Sequence, residues 1–524
     1  MVRSSKAFGR SRLDRRPRLE ALEERIQMSG AAGAATAFPP PPPLPTSGVI
    51  NGWVFKLVSQ SNTPAPGAEA GTLTGGSIQP GRISDHAQVI FSQTVNNAAG
   101  AAAGEGLFIT RYNPRTTASA LQQPRLPITQ IVRSGEKLIG GTVATAGTTG
   151  VSAVNAQGNA SFAVALTPAA GSPTGVAGGV YQYIGNRNLI SALAVTGDKL
   201  PGGSTFQTVN SHVGLTNSGQ TYFSALVALP PNVPGSPAVT GLNGATEASG
   251  VYQVGGMKNL VKVAAPGDLA PDGAALDYAA DPSINDVGSV AYIGHETNQP
   301  TTGLIDPTGN LTVNGVAINT KLLGGTLFFA RPNFPASVIA KPGDHVKNLV
   351  TGGTDTLLYA ADPVANNKGQ VLFLGAIQGT NGGVGGSPSL GVYQFSPQSG
   401  LTRIVGPGDV LPNNEVFTTA KAGFGSIDLN DRGDVSFLAN TNKGQGVYLD
   451  KAGVNYLVAH TGDVIPALGL GPITNFNQGN NRAGGPFINS DHQFVFSANT
   501  AQGDALFTAT AYKTITYRAN HKKK

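Results

Sequence analysis

The chain has no cysteine, a single tryptophan (Trp53) and few charges, which make up 12% of its 524 residues. The missing thiols exclude disulfides, thiolate metal sites and cysteine nucleophiles. The charged fraction is about half the globular norm. Because 40% of the residues are hydrophobic, the chain also lacks the high-charge, low-hydrophobicity composition of disorder. No apolar run is long enough to cross a bilayer as a helix. The 71 glycines keep no three-residue register, which excludes collagen. A lone tryptophan weakens the case for a lectin built on aromatic platforms.

What charge there is sits at the ends. Residues 1–30 carry net +4 and residues 511–524 net +5, which leaves the body at −3. A nucleic-acid binder needs clustered Lys and Arg on a folded surface, and the body has no such stripe, so no nucleic-acid partner is expected. Residues 1–38 read as a basic leader. Leu19, Leu22 and Ile26 recur at helical spacing. Residues 39–48 form a proline-rich spacer, extended because proline fixes φ and cannot continue a helix. Globular structure is expected over 49–518, followed by a basic tail at 519–524.

Self-similarity organises that body. An element N-x-x-G-x-V-x-F appears as Asn155 to Phe162, Asn285 to Tyr292, Asn366 to Phe373 and Asn430 to Phe437. Degraded copies run from Ser84 to Phe91, Thr216 to Phe223 and Asn489 to Phe496. The marker positions Ala87, Gly158, Gly219, Gly288, Gly369, Gly433 and His492 give seven copies, 59 to 81 residues apart. Asn opens a turn by bonding its side chain to backbone two residues on. Gly supplies positive φ, so strain or another turn type is expected at Ala87 and His492. The alternating residues that follow line one face of a strand. The turn set is therefore Asn155, Gly158, Asn285, Gly288, Asn366, Gly369, Asn430, Gly433 and Asn489.

Two elements travel with each copy. One is a Gly-apolar-aromatic strand: Gly106-Leu-Phe108, Gly179-Val-Tyr181, Gly250-Val-Tyr252, Gly391-Val-Tyr393, Gly446-Val-Tyr448, Ala505-Leu-Phe507 and, in the fourth unit, Gly303-Leu-Ile305. The other is a strand ending in G-D-x-x-P or a variant. Its acids are Glu136, Asp198, Asp268, Asp344, Asp409 and Asp463. A weaker strand, such as Thr205 to Val209, precedes the Asn turn.

Three or four short strands per unit, seven units and no helix predict an all-β protein, a seven-bladed β-propeller of antiparallel strands. An open β-solenoid is the alternative. Either Val54 to Ser59 or Thr514 to Arg518 is expected to complete a blade shared by both chain ends.

Arg16 to Ser29 keeps Leu19, Glu20, Leu22, Glu23, Arg25 and Ser29. This stretch resembles the N-terminal motif of large exported proteins of planctomycete bacteria. The repeats resemble a tandem-repeat family of exported bacterial proteins that is named for N-x-x-G-x-x-A-F and carries varied surface anchors. Here the penultimate Ala is kept only at Ala291. These resemblances imply an extracellular or cell-surface β-repeat protein with no established activity.

Chemistry is sparse in the sequence. If the G-D-x-x-P loops faced the axis, Glu136, Asp198, Asp268, Asp344, Asp409 and Asp463 could ring a channel mouth. Carboxylate oxygens of that kind suit a hard cation such as calcium. The competing expectation is that each acid accepts N–H bonds within its own turn. No histidine pair has metal-ligand spacing. His86 and His492 beside Asp85 and Asp491 could meet at the ring closure. The glycine-rich Gly383 to Ser387 lacks the Lys-Ser/Thr of a phosphate loop, and no nucleophile elbow appears. The leading expectation is a non-catalytic, monomeric surface protein with no cofactor, meeting an unknown surface or matrix component. The alternatives are a propeller that binds a glycan, a peptide or Ca2+, and a propeller-fold glycan lyase or hydrolase.

Overall fold

The computed structural model describes residues 47–511 apart from 67–71, 98–100, 111–126, 147–151, 169–176, 230–246, 256–258, 300–311, 314–315, 318–323, 333, 349–351, 378–388, 421–424 and 477–484. All described residues fall in the unit Pro45–Lys524. The leader, most of the spacer, the tail, Thr514 to Arg518 and Gly303 to Ile305 lie outside them. No helix among the described residues is long and apolar enough to cross a membrane.

The strands form a seven-bladed β-propeller. Blade 1 runs outward from the axis as Gln79–Ile83, Val89–Asn96, Ala102–Thr110 and Ile128–Arg133. Blade 3 repeats this as Thr205–Leu215, Thr221–Ala228, Glu247–Val254 and Leu260–Ala264. Blade 5 does so as Thr354–Ala365, Val371–Ile377, Ser389–Ser396 and Gly400–Val405. Blades 2, 4 and 6 follow the same antiparallel order, with outer strands Leu189–Val195, Ser337–Ala340 and Val454–His460.

Blade 7 is shared between the chain ends. Gln493–Thr500 and Gly503–Ala511 come from one end, and Trp53–Gln60 pairs with Gly503–Ala511 as the next strand outward. Trp53–Gln60, which contains Val54 to Ser59, therefore supplies the closing strand. Ser47–Ile50 adds a further edge beyond it, so pairing begins just before Val49.

The repeat pattern explains the packing. The final aromatic of each N-x-x-G-x-V-x-F copy lies directly opposite the aromatic of the Gly-apolar-aromatic strand. The pairs are Phe91–Phe108, Phe162–Tyr181, Phe223–Tyr252, Tyr292–Phe328, Phe373–Tyr393, Phe437–Tyr448 and Phe496–Phe507. Their ring centroids are 5.3 to 6.1 Å apart. Such a pair is worth about 0.5–1.5 kcal/mol beyond its buried area, and every blade carries one. In the fourth blade the partner is Phe328, so Thr326-Leu-Phe328 takes the place expected for Gly303-Leu-Ile305.

The glycine of G-x-Y follows from the same geometry. In blade 5 the Tyr393 ring folds back over Gly391, and a Cβ there would sit 2.8 Å from Tyr393 Cε2. Neighbours two apart share a strand face, so glycine at 391 is what leaves room for the Tyr393 ring. Gly391→Ala is expected to lower stability by about 1–3 kcal/mol through overpacking. A chemical unfolding curve measures this, and an unchanged midpoint would show that the ring can move aside.

At the axis the Asn turns do two jobs. Asn366 Oδ1 accepts the N–H groups of Lys368 and Gln370 at 3.1 and 3.0 Å, which forms the turn. Its Nδ2 donates to the carbonyl of Asn430 in the next blade at 3.0 Å. The same link joins Asn155 to Thr216, Asn285 to Asn366, Asn430 to Asn489, and Asn489 to Ser84 across the ring closure. Gly158, Gly219, Gly288, Gly369 and Gly433 take positive φ as expected. Ala87 and His492 keep the same turn in a left-handed conformation, with φ of 59° and 57°, so the outcome there is strain and not a different turn.

Asn366→Asp keeps the turn acceptor but sets an oxygen against the Asn430 carbonyl. It should destabilise by about 1–3 kcal/mol, the cost of a buried polar group left unsatisfied. Thermal unfolding at neutral pH reads the loss, and a wild-type melting curve would mean the inter-blade bond carries no stability.

Candidate axial binding site

One position inside each turn, a second tier of bonds encircles the axis. The residues are Asp85, Ala156, Asn217, Asp286, Asn367, Asp431 and Ser490. Ala156 N donates to Asn217 Oδ1 at 3.0 Å, Asn217 N to Asp286 Oδ1 at 2.6 Å, and Asp286 N to Asn367 Oδ1 at 2.6 Å. Asn367 N donates to Asp431 Oδ1 at 2.8 Å, and Ser490 N to Asp85 Oδ1 at 3.0 Å. Between blades 1 and 2, His86 Nδ1 meets Ala156 O at 2.6 Å, and Arg82 N donates to Ser152 O at 3.1 Å. Every junction is therefore bridged, six by the two tiers and the one between blades 1 and 2 by Arg82 and His86 beside them.

These turns surround an axial cavity of about 140 Å³. A single water needs about 10–15 Å³, so the space takes a cluster of waters or one sugar-sized group. Its lining is polar, with Asp85, Asp286 and Asp431 as carboxylates and Arg82 as the one basic residue. Asp286 Oδ2 accepts Nδ2 of Asn217 at 2.7 Å and of Asn367 at 3.2 Å. Asp431 Oδ2 accepts the same Asn367 Nδ2 at 2.6 Å. The shared amide holds these two carboxylate oxygens at most about 6 Å apart.

Below the rim the half-buried Arg82 extends from blade 1 to blade 4, where its Nη2 lies 3.5 Å from Ser283 Oγ. Its charge also reaches Asp428, which is fully buried and accepts Ile488 N at 2.9 Å. Burial pushes the Asp428 carboxyl above its ordinary range, against the pull of Arg82 and of the backbone N–H groups it accepts.

The G-D-x-x-P acids are not brought together. Asp198, Asp268, Asp344, Asp409 and Asp463 each accept the backbone N–H three residues earlier, at 2.7 to 2.9 Å. Glu136 accepts Gln130 Nε2 at 3.0 Å. These turns bond to the start of the next inner strand, as Phe206 N does to Asp198 O, while the Asn turn follows that strand's end. The acids therefore lie on the face opposite the axial cavity. Among the described residues no group of three or more His, Asp or Glu side chains could hold a metal ion. Asp409 has the most elaborate surroundings. It takes a forked pair of bonds from Arg403, which also binds Asp355 at 2.6 Å, with the Tyr393 hydroxyl donating to Asp355.

His86 and His492 do not form a joint site, since His492 Nε2 instead meets Asp434 Oδ2 at 2.6 Å. The sequence signal that marks the axial site is the first variable position of N-x-x-G, where Asp or Asn stands in five of seven copies.

For Asp428 the sign of the pH effect is fixed by the direction of its shift. A carboxyl raised on folding binds its proton more tightly in the native state, so stability falls as pH rises past the unfolded carboxylate range near 4. Asp428→Asn should therefore raise the melting temperature at pH 7, with the gain shrinking as pH drops through 5 toward 4. A gain that grows at low pH would contradict this placement.

None of the curated proteins matches the chain. Among solved structures, an oligogalacturonate lyase in complex with manganese is 9% identical with a TM-score of 0.42, over 87% of this chain and 97% of that one. An oligogalacturonate lyase from Vibrio parahaemolyticus is 8% identical with a TM-score of 0.44, over 88% and 98%. The β-propeller domain of the trilobed protease from Pyrococcus furiosus is 8% identical with a TM-score of 0.41, over 85% and 98%. These likenesses concern the path of the chain alone. The expectation of a non-catalytic protein is corrected here, since the solved structures of similar chain path include two lyases. A family model matches residues 51–465 and again 330–514, and the chain accordingly belongs to the family of unknown function DUF7453.

Proposed function

We propose that this is a carbohydrate-active propeller that takes the end of a saccharide into the axial cavity. The observation that carries the reading is the pair Asp286 and Asp431, held by one shared Asn367 amide at the cavity rim. Amide and carboxylate groups at the rim match the alternating donors and acceptors of sugar hydroxyls. Paired carboxyls about 5–5.5 Å apart serve glycoside cleavage, one protonating the leaving oxygen and the other meeting the anomeric carbon, and the upper bound set by the shared amide admits that arrangement. The strapping amide keeps both carboxylates in fixed orientation before the ligand arrives, which reduces the ordering cost of binding.

The test is reducing-sugar release from a panel of plant and bacterial polysaccharides, with calorimetric binding of the matching oligosaccharides. Asp431→Asn should cut turnover by 100-fold or more, in the range expected for removal of an acid–base group. Its melting temperature should fall only modestly, since the new Nδ2 faces one of the two Asn367 donors while the other bond is kept, and a cooperative melt shows that the turnover loss is not unfolding. Binding without turnover would leave a carbohydrate receptor, and the absence of both would remove the reading.

A further inference from the structure

The axial cavity is chemically two-sided, and its floor differs from its rim. The rim carboxylates of Asp286 and Asp431 already accept side-chain and backbone N–H groups of Asn217 and Asn367. The floor offers donors. Among the described residues Arg82 is the one basic residue lining the cavity. Among the described residues, its guanidinium has only the long 3.5 Å contact to Ser283 Oγ. A guanidinium presents five N–H donors in a rigid fork, and beyond this contact the fork of Arg82 is unspent among the described residues.

The contrast with Arg403 sharpens the point. That guanidinium is 3% exposed and spent on Asp355, Asp409 and the Pro407 carbonyl. It is a closed structural knot, whereas Arg82 is an open one. Asp428 is the carboxyl whose titration Arg82 influences, and it is committed to the backbone N–H groups of Ile488 and Leu429.

Resting on the carbohydrate reading of the same cavity, we propose that Arg82 makes the site selective for a saccharide bearing a carboxylate. The acid group of a uronate residue would enter first and pair with the guanidinium fork, while the neutral hydroxyls meet the amides of the rim. A carboxylate takes the fork through two parallel hydrogen bonds, which a neutral hydroxymethyl group at the same ring position cannot do. The rim acids set the limit on charge. With Asp85, Asp286 and Asp431 above a single Arg82, a ligand with one acid group fits and a densely charged polyanion is repelled.

Calorimetry on the full chain tests this with galacturonate and glucuronate, their methyl esters, and galactose and glucose. The wild type should bind each uronate at least tenfold more tightly than its ester or matching hexose, and added salt should narrow the gap. Arg82→Gln should abolish the preference, with uronate affinity falling to that of its ester. Arg82→Lys, which keeps charge but loses the fork, should retain only part of it. Melting curves of both variants establish that the ring is intact. A wild type that binds hexose as tightly as uronate overturns the role of Arg82 and leaves the carbohydrate reading standing, as does an Arg82→Gln variant that keeps the preference. No binding of any sugar, with the ring folded, overturns both.

Discussion

The fold depends on a ring of hydrogen bonds at its axis. Seven blades that met only through apolar side chains could slip against one another, because burial is non-directional. The Asn turns add direction. Asn155, Asn285, Asn366, Asn430 and Asn489 each form their own turn through Oδ1 and reach the next blade through Nδ2. Where the first tier has Ser84 or Thr216, which carry no amide, the adjoining residues supply the bridge: Arg82 and His86 at one junction, Asn217 at the other. Closure is thus made twice, at the axis by Asn489 with Ser84 and at the periphery by Trp53–Gln60 in blade 7. With both closures made, the edges that remain among the described strands are the outermost strands of the blades.

Around that axis the blades are built by one recurring contact, the aromatic pair between the second and third strands. It accounts for three sequence features together. The terminal Phe or Tyr of the Asn element is one ring, the Tyr or Phe of the G-x-Y element is the other, and the glycine is the space into which the second ring folds. Blade 4 shows that the space matters more than its source. Thr326 stands two residues before Phe328, and the room comes from Gly294, where a Cβ would lie 2.8 Å from the Phe328 ring. The chain between its second and third strands, Val290–Glu296 and Gly324–Ala330, is long, yet the pair is kept.

The blade number, the strand-rich units and the turn geometry were legible because they recur. Seven glycine-position markers stand at seven turns, including the strained Ala87 and His492. The inner strands were less legible, and the cause is physical. They border a polar axis, so they do not show the alternation of a half-buried strand. Several are also broken by bulges. In blades 4 and 5 the register shifts at Asp281–Pro282 and Asp362–Pro363, with both aspartates in left-handed conformation. The acids of G-D-x-x-P were legible as residues but not as to place. Repetition made them look like a ring, while the strand direction that puts them opposite the Asn turns appears only once the topology is known. The second tier was hidden for the converse reason. Asp85, Asn217, Asp286, Asn367 and Asp431 occupy what reads as a variable position, and only the folded ring shows that its variation is between amide and carboxylate.

That variation is where a repeat protein can acquire chemistry. Equivalent positions in seven blades are bound to the same backbone geometry, so a site arises by changing side chains at one level of the ring while the hydrogen-bonded frame stays fixed. At the second tier the sequence around the axis is Asp, Ala, Asn, Asp, Asn, Asp, Ser. This arrangement has no rotational symmetry, and it places a carboxylate–amide–carboxylate run across blades 4 to 6. The step below holds Arg82 on blade 1, reaching Ser283 of blade 4. A symmetric acidic ring would concentrate one kind of charge and select for a cation. The ring as built instead sets acceptors beside amide donors at the rim and a guanidinium at the floor. Discrimination of a polyfunctional neutral or singly charged ligand requires such mixed, oriented polar groups in a concave site. The same hydrogen bonds that lock the blades also fix the orientation of these groups, so the stability of the ring and the preorganisation of its axial site have one physical origin.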